Sequence, residues 1–260
     1  MNEKKQLKIR VMTYNVHSCR GLDGRVIPER IGQVIEKYSP DIVALQELDV
    51  NRKNTGKIDQ PLSIANYLRM HCHFQPALAM EGEHYGIAVL SRYPFDLIKA
   101  GHLKSFPEKC LRLFHLPVLR HFFEPREIIW VHLKIEDREI HFFNTHLGLR
   151  AGERGRQIRN ILSDEWLGSV NHEAAVVFCG DFNAGPKSAV YEMIGQQLKE
   201  AKAEIKNGEL RKTFASRYPL FELDHIFYKG KIKLDSVEIP VTALTRTASD
   251  HLPVIADFIL

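Results

Sequence analysis

Three short runs without a polar residue, Ile42-Val43-Ala44-Leu45, Ile87-Ala88-Val89-Leu90 and the stretch from Ala174 to Cys179, constrain this chain more than any other feature. Each has strand length, and an unbroken apolar run is the form taken by a strand covered on both faces. Ahead of them, Leu7 to Tyr14 alternates apolar with polar residues, the period-2 signature of a half-exposed strand. Helical patterns interleave with these strands. Pro28 opens the first, with Ile31, Val34 and Ile35 spaced i, i+3, i+4 until Ser39-Pro40 stops it. Others are predicted over Gln60 to Met70, over Glu153 to Leu167 with arginines opposite an apolar side, and over Pro186 to Lys199. Further strands are expected over Ile128 to Ile135, Glu139 to Asn144, Asp224 to Tyr228, Lys233 to Pro240 and Val254 to Phe258.

No Ser/Gly/Pro-rich hinge, low-complexity tract or exact repeat interrupts this order, so residues 1–260 are expected to form one α/β or α+β domain. A folded chain of this length buries about 70–75% of its unfolded surface, enough for one large core. With 44% hydrophobic and 26% charged residues, the composition excludes disordered and fibrous classes. No apolar run approaches a membrane span, and charges occupy the place where a signal peptide needs its apolar stretch. Cys19, Cys72, Cys110 and Cys179 stand far apart, without C-x-x-C spacing, and read as reduced cytosolic thiols. A cytoplasmic monomer is expected. The net charge of +4 is compatible with a phosphate-bearing partner without requiring one. Ala100 to Pro125 is the least regular part, mixing Lys104, Arg112 and Arg120 with Phe106, Phe114 and Phe122. It reads either as a core-covering loop or as a basic, aromatic lip for nucleic acid or a lipid surface, a peripheral membrane contact included.

Polar residues gather where apolar strands end, the place at which α/β sheets build sites. Asn15 and His17 follow the first strand, and Glu47 follows four apolar residues and Gln46. A carboxylate so placed must escape to solvent or be compensated, and a hard cation such as Mg²⁺, which takes only one or two carboxylates, would compensate it. Asn144-Thr145-His146 delivers a histidine before a glycine loop. In Gly180-Asp181-Phe182-Asn183, Asp181 and Asn183 are two apart and share a face if strand geometry persists. Ser249-Asp250-His251 pairs a carboxylate with an imidazole, and Asp224 enters a strand where it can orient a histidine.

Taken in order, Asn15, Gln46-Glu47, Asn144-Thr145-His146, Gly180-Asp181-Phe182-Asn183, Asp224 and Ser249-Asp250-His251 resemble the endonuclease/exonuclease/phosphatase superfamily, which includes DNase I-like nucleases, sphingomyelinases and inositol-polyphosphate phosphatases. The likeness spans about residues 9 to 258, and His17 to Gly24, Arg52 and Asp59-Gln60 look like its bacterial generic metal-dependent hydrolases. It implies a DNase I-like four-layer sandwich, two face-to-face mixed β-sheets flanked by helices, with a divalent metal, Mg²⁺ or Mn²⁺ in its place, at one rim. By position, Glu47, Asn15 and Asp250 would hold the metal. Asp181 would orient or deprotonate the attacking water, and Asn183 would hold phosphoryl oxygens. His251, fixed by Asp224, would handle a proton or bind phosphate, and His146 would stand opposite. Arg126, His17 and Tyr85 would contact substrate phosphate at the rim, and Glu83 would orient His146.

The implied activity is Mg²⁺-dependent hydrolysis of a phosphoester, a diester of nucleic acid or phospholipid. Two alternatives stay open: a phosphomonoesterase acting on an inositol phosphate or another soluble metabolite, and a catalytically inactive binding module. Glu47 and His251 are expected at the rim rather than in the core, so that His251→Ala would abolish turnover with the fold intact and Glu47→Gln would weaken metal dependence.

Overall fold

The structure is a computed structural model and describes residues 6–80, 82–105, 125–204 and 212–260. The alternating opening segment forms β1 (Lys8–Asn15) and the first buried run forms β2 (Ile42–Val50). They pair in parallel, joined across α1 (Pro28–Tyr38). Pro28 lies in the helix's first turn, and Ser39 closes it in the left-handed conformation, its N–H returning to Ile35 and Glu36. The same unit recurs later: β7 (Arg138–His146) pairs in parallel with β8 (Ala175–Asp181) across α3 (Ala151–Ile161). Every other named pairing is antiparallel.

Two six-stranded sheets result. The first runs β11 (Lys233–Glu238), β12 (Val254–Ile259), β1, β2, β4 (Glu83–Ser91), β3 (His71–Met80). The second runs β5 (Phe95–His102), β6 (Glu127–Ile135), β7, β8, β10 (Asp224–Lys229), β9 (Lys199–Glu200). Strand alternation sorts the side chains into layers. Val11, Ala44 and Val89 of the first sheet meet Val131, Phe142 and Val177 of the second in the inter-sheet core. Their neighbours Met12, Val43, Leu45 and Leu90 face outward onto α1 and α2 (Gln60–Leu68), while Phe143, Phe178 and Phe227 face α3 and α4 (Ala189–Gly195). This is the expected four-layer sandwich of two mixed sheets between helices.

Several element boundaries differ from expectation, for local reasons. The helix predicted to reach Leu167 ends at Ile161, because Ser163 turns back onto the Asn160 carbonyl through both N–H and hydroxyl. The helix predicted from Pro186 starts at Ala189, where the Ser188 hydroxyl caps the Tyr191 N–H, and ends before Lys199. Three strands escaped the pattern search, β3, β5 and the two-residue β9. All lie at sheet edges, where one-sided pairing tolerates Pro76 and the largely exposed face of β5. Most of the irregular stretch 100–125, with its expected membrane or nucleic-acid lip, lies outside the described residues. Among the described residues no helix is long and apolar enough to cross a membrane.

Candidate active site

The carboxyl ends of β1, β7 and β8, at Asn15, His146 and Asp181, come together at one edge of the sandwich with Glu47, inside β2. A bulge between Leu45 and Leu48 breaks the alternation of β2. Glu47 there takes a positive φ of 59°, so its carboxylate leaves the sheet while Gln46 and Leu48 stay buried. Gly180, at φ 148°, stands against β7 so closely that a Cβ would lie 1.9 Å from the Thr145 carbonyl oxygen, which leaves room only for glycine. Asp181 then ends β8, Phe182 turns into the core against Phe178 and Phe227, and Asn183 turns out at φ 48°. Asp181 and Asn183 do meet, but through this turn rather than through strand alternation: the Asn183 N–H donates to Asp181 Oδ1 at 2.8 Å.

Three of the converging segments are tied by Asn15. Its Nδ2 donates to Glu47 Oε1 and to Asp181 Oδ2, both at 2.9 Å, and its Oδ1 accepts from the His17 N–H. Ser249 sews the last segment to the first, its hydroxyl donating to the Asn15 carbonyl at 2.8 Å. His251 thereby reaches Asp181, Nε2 to Oδ2 at 3.8 Å, and its Nδ1 lies 2.8 Å from Asp224 Oδ2. Burial alone would lower the basicity of this imidazole; the carboxylates of Asp224, Asp181 and Asp250 overcome it and raise His251 to about 10. Burial likewise opposes ionisation of Asp224, but His251 holds it below the usual carboxylate range. Burial and the Asp224 charge together push Asp181 up to about 7, and burial raises Glu47. His251 is 5% exposed, which corrects its expected rim position; removing its ring would strip a buried carboxylate of its partner.

His146 approaches Asp181 from the other side, Nε2 to Oδ2 at 3.6 Å, and lies 3.9 Å from Glu47 Oε1. Its Nδ1 is 3.0 Å from Arg126 Nη1. The same guanidinium nitrogen lies 3.3 Å from Nε2, so the cation stands beside both ring nitrogens. Burial and the Arg126 charge keep this imidazole well below its ordinary range, hence neutral. Asn183 Nδ2 sits 3.1 Å from His146 Nε2 and donates to the Leu147 carbonyl at 2.9 Å. Arg126 is itself buried against this ring instead of lying at the rim. Glu83 does not orient His146; it pairs with Lys53 at 3.9 Å. Tyr85 is buried on β4 opposite Asp49, with Arg52 over its ring. His17 and Asp250 lie together at the open side, Nδ1 to Oδ1 at 3.8 Å.

Some participants gave no readable signal of their role. Gln46 and Asn144, adjacent to two site residues, are structural: Gln46 Nε2 donates across the sandwich to Asn144 Oδ1 at 2.8 Å, and Asn144 Nδ2 donates back to the Leu45 and Ala88 carbonyls. This buried clamp sets the two sheets at the separation at which Glu47 and His146 meet. The segment around Phe214 also went unnoticed. Its ring packs on His251 with centroids 4.9 Å apart, and Thr213 Oγ1 accepts from the Asp224 N–H. Its polar content is ordinary, and only the fold carries it to the site.

The donors suit a hard divalent cation. Glu47 Oε1, Asp181 Oδ2 and His146 Nε2 lie within 4.8 Å of one another, and Asp250 stands nearby across Asn15 and His17. The direct hydrogen bond that Glu47 and Asp181 share comes from a neutral amide, so two crowded carboxylate oxygens carry charge that a small cation would match.

Comparisons with known proteins agree with the fold. Residues 12–251 match the model of the endonuclease/exonuclease/phosphatase family. An uncharacterized protein of Escherichia coli K12, YbhP, is 26% identical over 272 residues, 98% of each chain. A solved endonuclease/exonuclease/phosphatase from Beutenbergia cavernae superposes with a TM-score of 0.78 at 22% identity, over 97% of this chain and 72% of that one. The catalytic domain of human Nocturnin, solved with a bound sulfate anion, gives 0.68 at 22% identity over 98% and 96%. With the family model covering nearly the whole length, and its three named activities all cleaving phosphoester bonds, this chain belongs to the endonuclease/exonuclease/phosphatase family.

Proposed function

We propose that this protein is a divalent-cation-dependent phosphodiesterase, using Mg²⁺ or Mn²⁺, that acts on nucleic acid or phospholipid. The observation that carries the reading is the pair of histidines aimed at Asp181 Oδ2 from opposite sides, one held by a carboxylate and the other by a guanidinium. Hydrolysis of a phosphodiester needs charge neutralised on the phosphoryl oxygens, water aligned with the leaving group, and a proton for the departing alkoxide. Glu47, Asn15 and Asp250 would hold the cation, which supplies Lewis-acid neutralisation when bound. Asp181, raised to about 7, orients water and takes its proton as oxygen attacks phosphorus. His251, cationic beside Asp224, donates to a phosphoryl oxygen or to the leaving group. The neutral His146 ring and the Asn183 amide would face the other side of the phosphate.

The rim beside His251 supports a diester with an apolar or base-bearing substituent. Tyr218, Leu220 and Phe221 are more than half exposed on the segment that carries Phe214, and Leu149 is exposed three residues beyond His146. Such rings stack on bases or enter a lipid interface; an inositol phosphate would instead select cationic side chains. Plasmid DNA, RNA, abasic DNA, phospholipid vesicles and inositol phosphates, each with Mg²⁺ and with chelator, test the reading. Cation-dependent cleavage of a diester is expected. Preferential release of phosphate from inositol phosphates would favour the monoesterase alternative, and no turnover with any divalent ion would leave a binding module.

A further inference from the structure

Behind the site lies a second group of ionisable side chains that the chemistry above does not use. Lys202, on the short helical turn Ala201–Glu204 after β9, is fully buried. Its ammonium donates to the backbone carbonyl of Asp224 at 2.6 Å and stands 3.1 Å from Glu222 Oε1 and 4.0 Å from Glu200 Oε1. Glu200 Oε1 in turn lies 3.2 Å from His225 Nδ1, and His225 Nε2 donates to the Ala184 carbonyl at 2.9 Å. Glu200, Glu222 and His225 have the donor types of a cation site, but the Lys202 ammonium already lies among them.

The two carbonyls at the ends of this network belong to the two segments that build the site. Asp224 orients His251, and Ala184 is the residue after Asn183. Charge-assisted hydrogen bonds are short and directional, and a buried ammonium that moved away from its partners would be left uncompensated. Both segments are therefore held from below by groups that resist displacement.

We propose that Lys202 and His225 are positioning residues, which fix the Asp224–His251 pair and the Asn183 amide at one separation by holding the backbone on which they stand. For its kinetic consequence this inference rests on the phosphoesterase reading; for its structural consequence it does not. The test compares the wild type with Lys202→Met/Glu222→Gln, which removes opposite charges together, and with His225→Leu. The misplacement should lower kcat about ten- to hundredfold on the diester that the wild type cleaves, with KM within about twofold. Amide hydrogen exchange should quicken about tenfold over 223–225 in the first variant and over 181–185 in the second, with 42–50 of the other sheet unchanged. Glu222→Gln alone keeps the ammonium and should move both readouts the same way by less, deciding the matter where the paired variant does not fold. Folded variants with unchanged exchange in both segments, or with unchanged kcat, would overturn the proposal. If the wild type cleaves none of the esters, the functional reading fails and exchange alone decides the positioning.

Discussion

The two flanks of the site place one kind of side chain under opposite control. On one flank His251 is backed by Asp224 and carries a proton; on the other His146 is backed by Arg126 and stays neutral. Both rings are buried, so solvation does not separate them. What separates them is the sign of the neighbouring charge, which sets the protonation state. A single anionic substrate between the flanks would meet a cation on one side and a neutral ring on the other. That asymmetry suits a reaction in which the two bridging oxygens play different roles.

The contrast can be broken most severely at Asp224. Asp224→Asn keeps the shape and removes the charge, and should lower kcat by about a thousand- to ten-thousandfold, as a buried aspartate behind a proton-handling histidine does elsewhere. Steady-state kinetics on the cleaved diester measures it, and a loss below tenfold would mean that His251 does not depend on its carboxylate. Next in size is stability. His251→Ala leaves Asp224 unpaired in the interior and should cost about 3–5 kcal/mol in urea unfolding, a loss that Asp224→Asn added to it should largely restore. Arg126→Gln, on the neutral flank, should have a smaller effect, about tenfold in kcat/KM, because it removes the charge that disfavours a proton on His146 without touching the protonated pair. Nitrogen chemical shifts of the ring would report the change directly.

The smallest expected effect is a pH dependence that sharpens the same contrast. His251 is raised to about 10 in the folded protein against about 6.5 unfolded, so the folded state holds a proton that the unfolded state has released. Its stabilisation is complete below the unfolded value and is lost as pH rises through about 10. Unfolding with chelator present should therefore show the wild type's advantage over Asp224→Asn shrinking between neutral pH and pH 10. His146 works in the opposite sense: its lowered value costs stability as pH falls below the unfolded value, because only the unfolded chain takes up the proton. An advantage over Asp224→Asn that did not change with pH would mean that the carboxylate does not hold the proton on His251.

The site was legible in proportion to how local its causes are. Glu47, Asp181 and His251 stood out because each interrupts, follows or precedes an apolar run with a group that strand packing cannot use. Asn15 could be read only as a polar residue after the first strand, yet it bridges Glu47 and Asp181 across 32 and 166 positions of sequence. Glu83 was misassigned because its ion pair with Lys53 depends on how β4 lies in the sheet. The clamp between Gln46 and Asn144 spans 98 positions and could not be distinguished from ligand residues beside it.

Strand and helix order, the two-sided burial of β2, β4 and β8, and the residue types available for phosphoester chemistry follow from the sequence alone, because periodicity and desolvation act on neighbours in the chain. Which histidine is protonated, which carboxylates are crowded, and which buried charges stand beneath them were decided only by tertiary structure. Electrostatic interaction falls with distance in space, and the partners that determine these states are brought within 4 Å only when the chain folds.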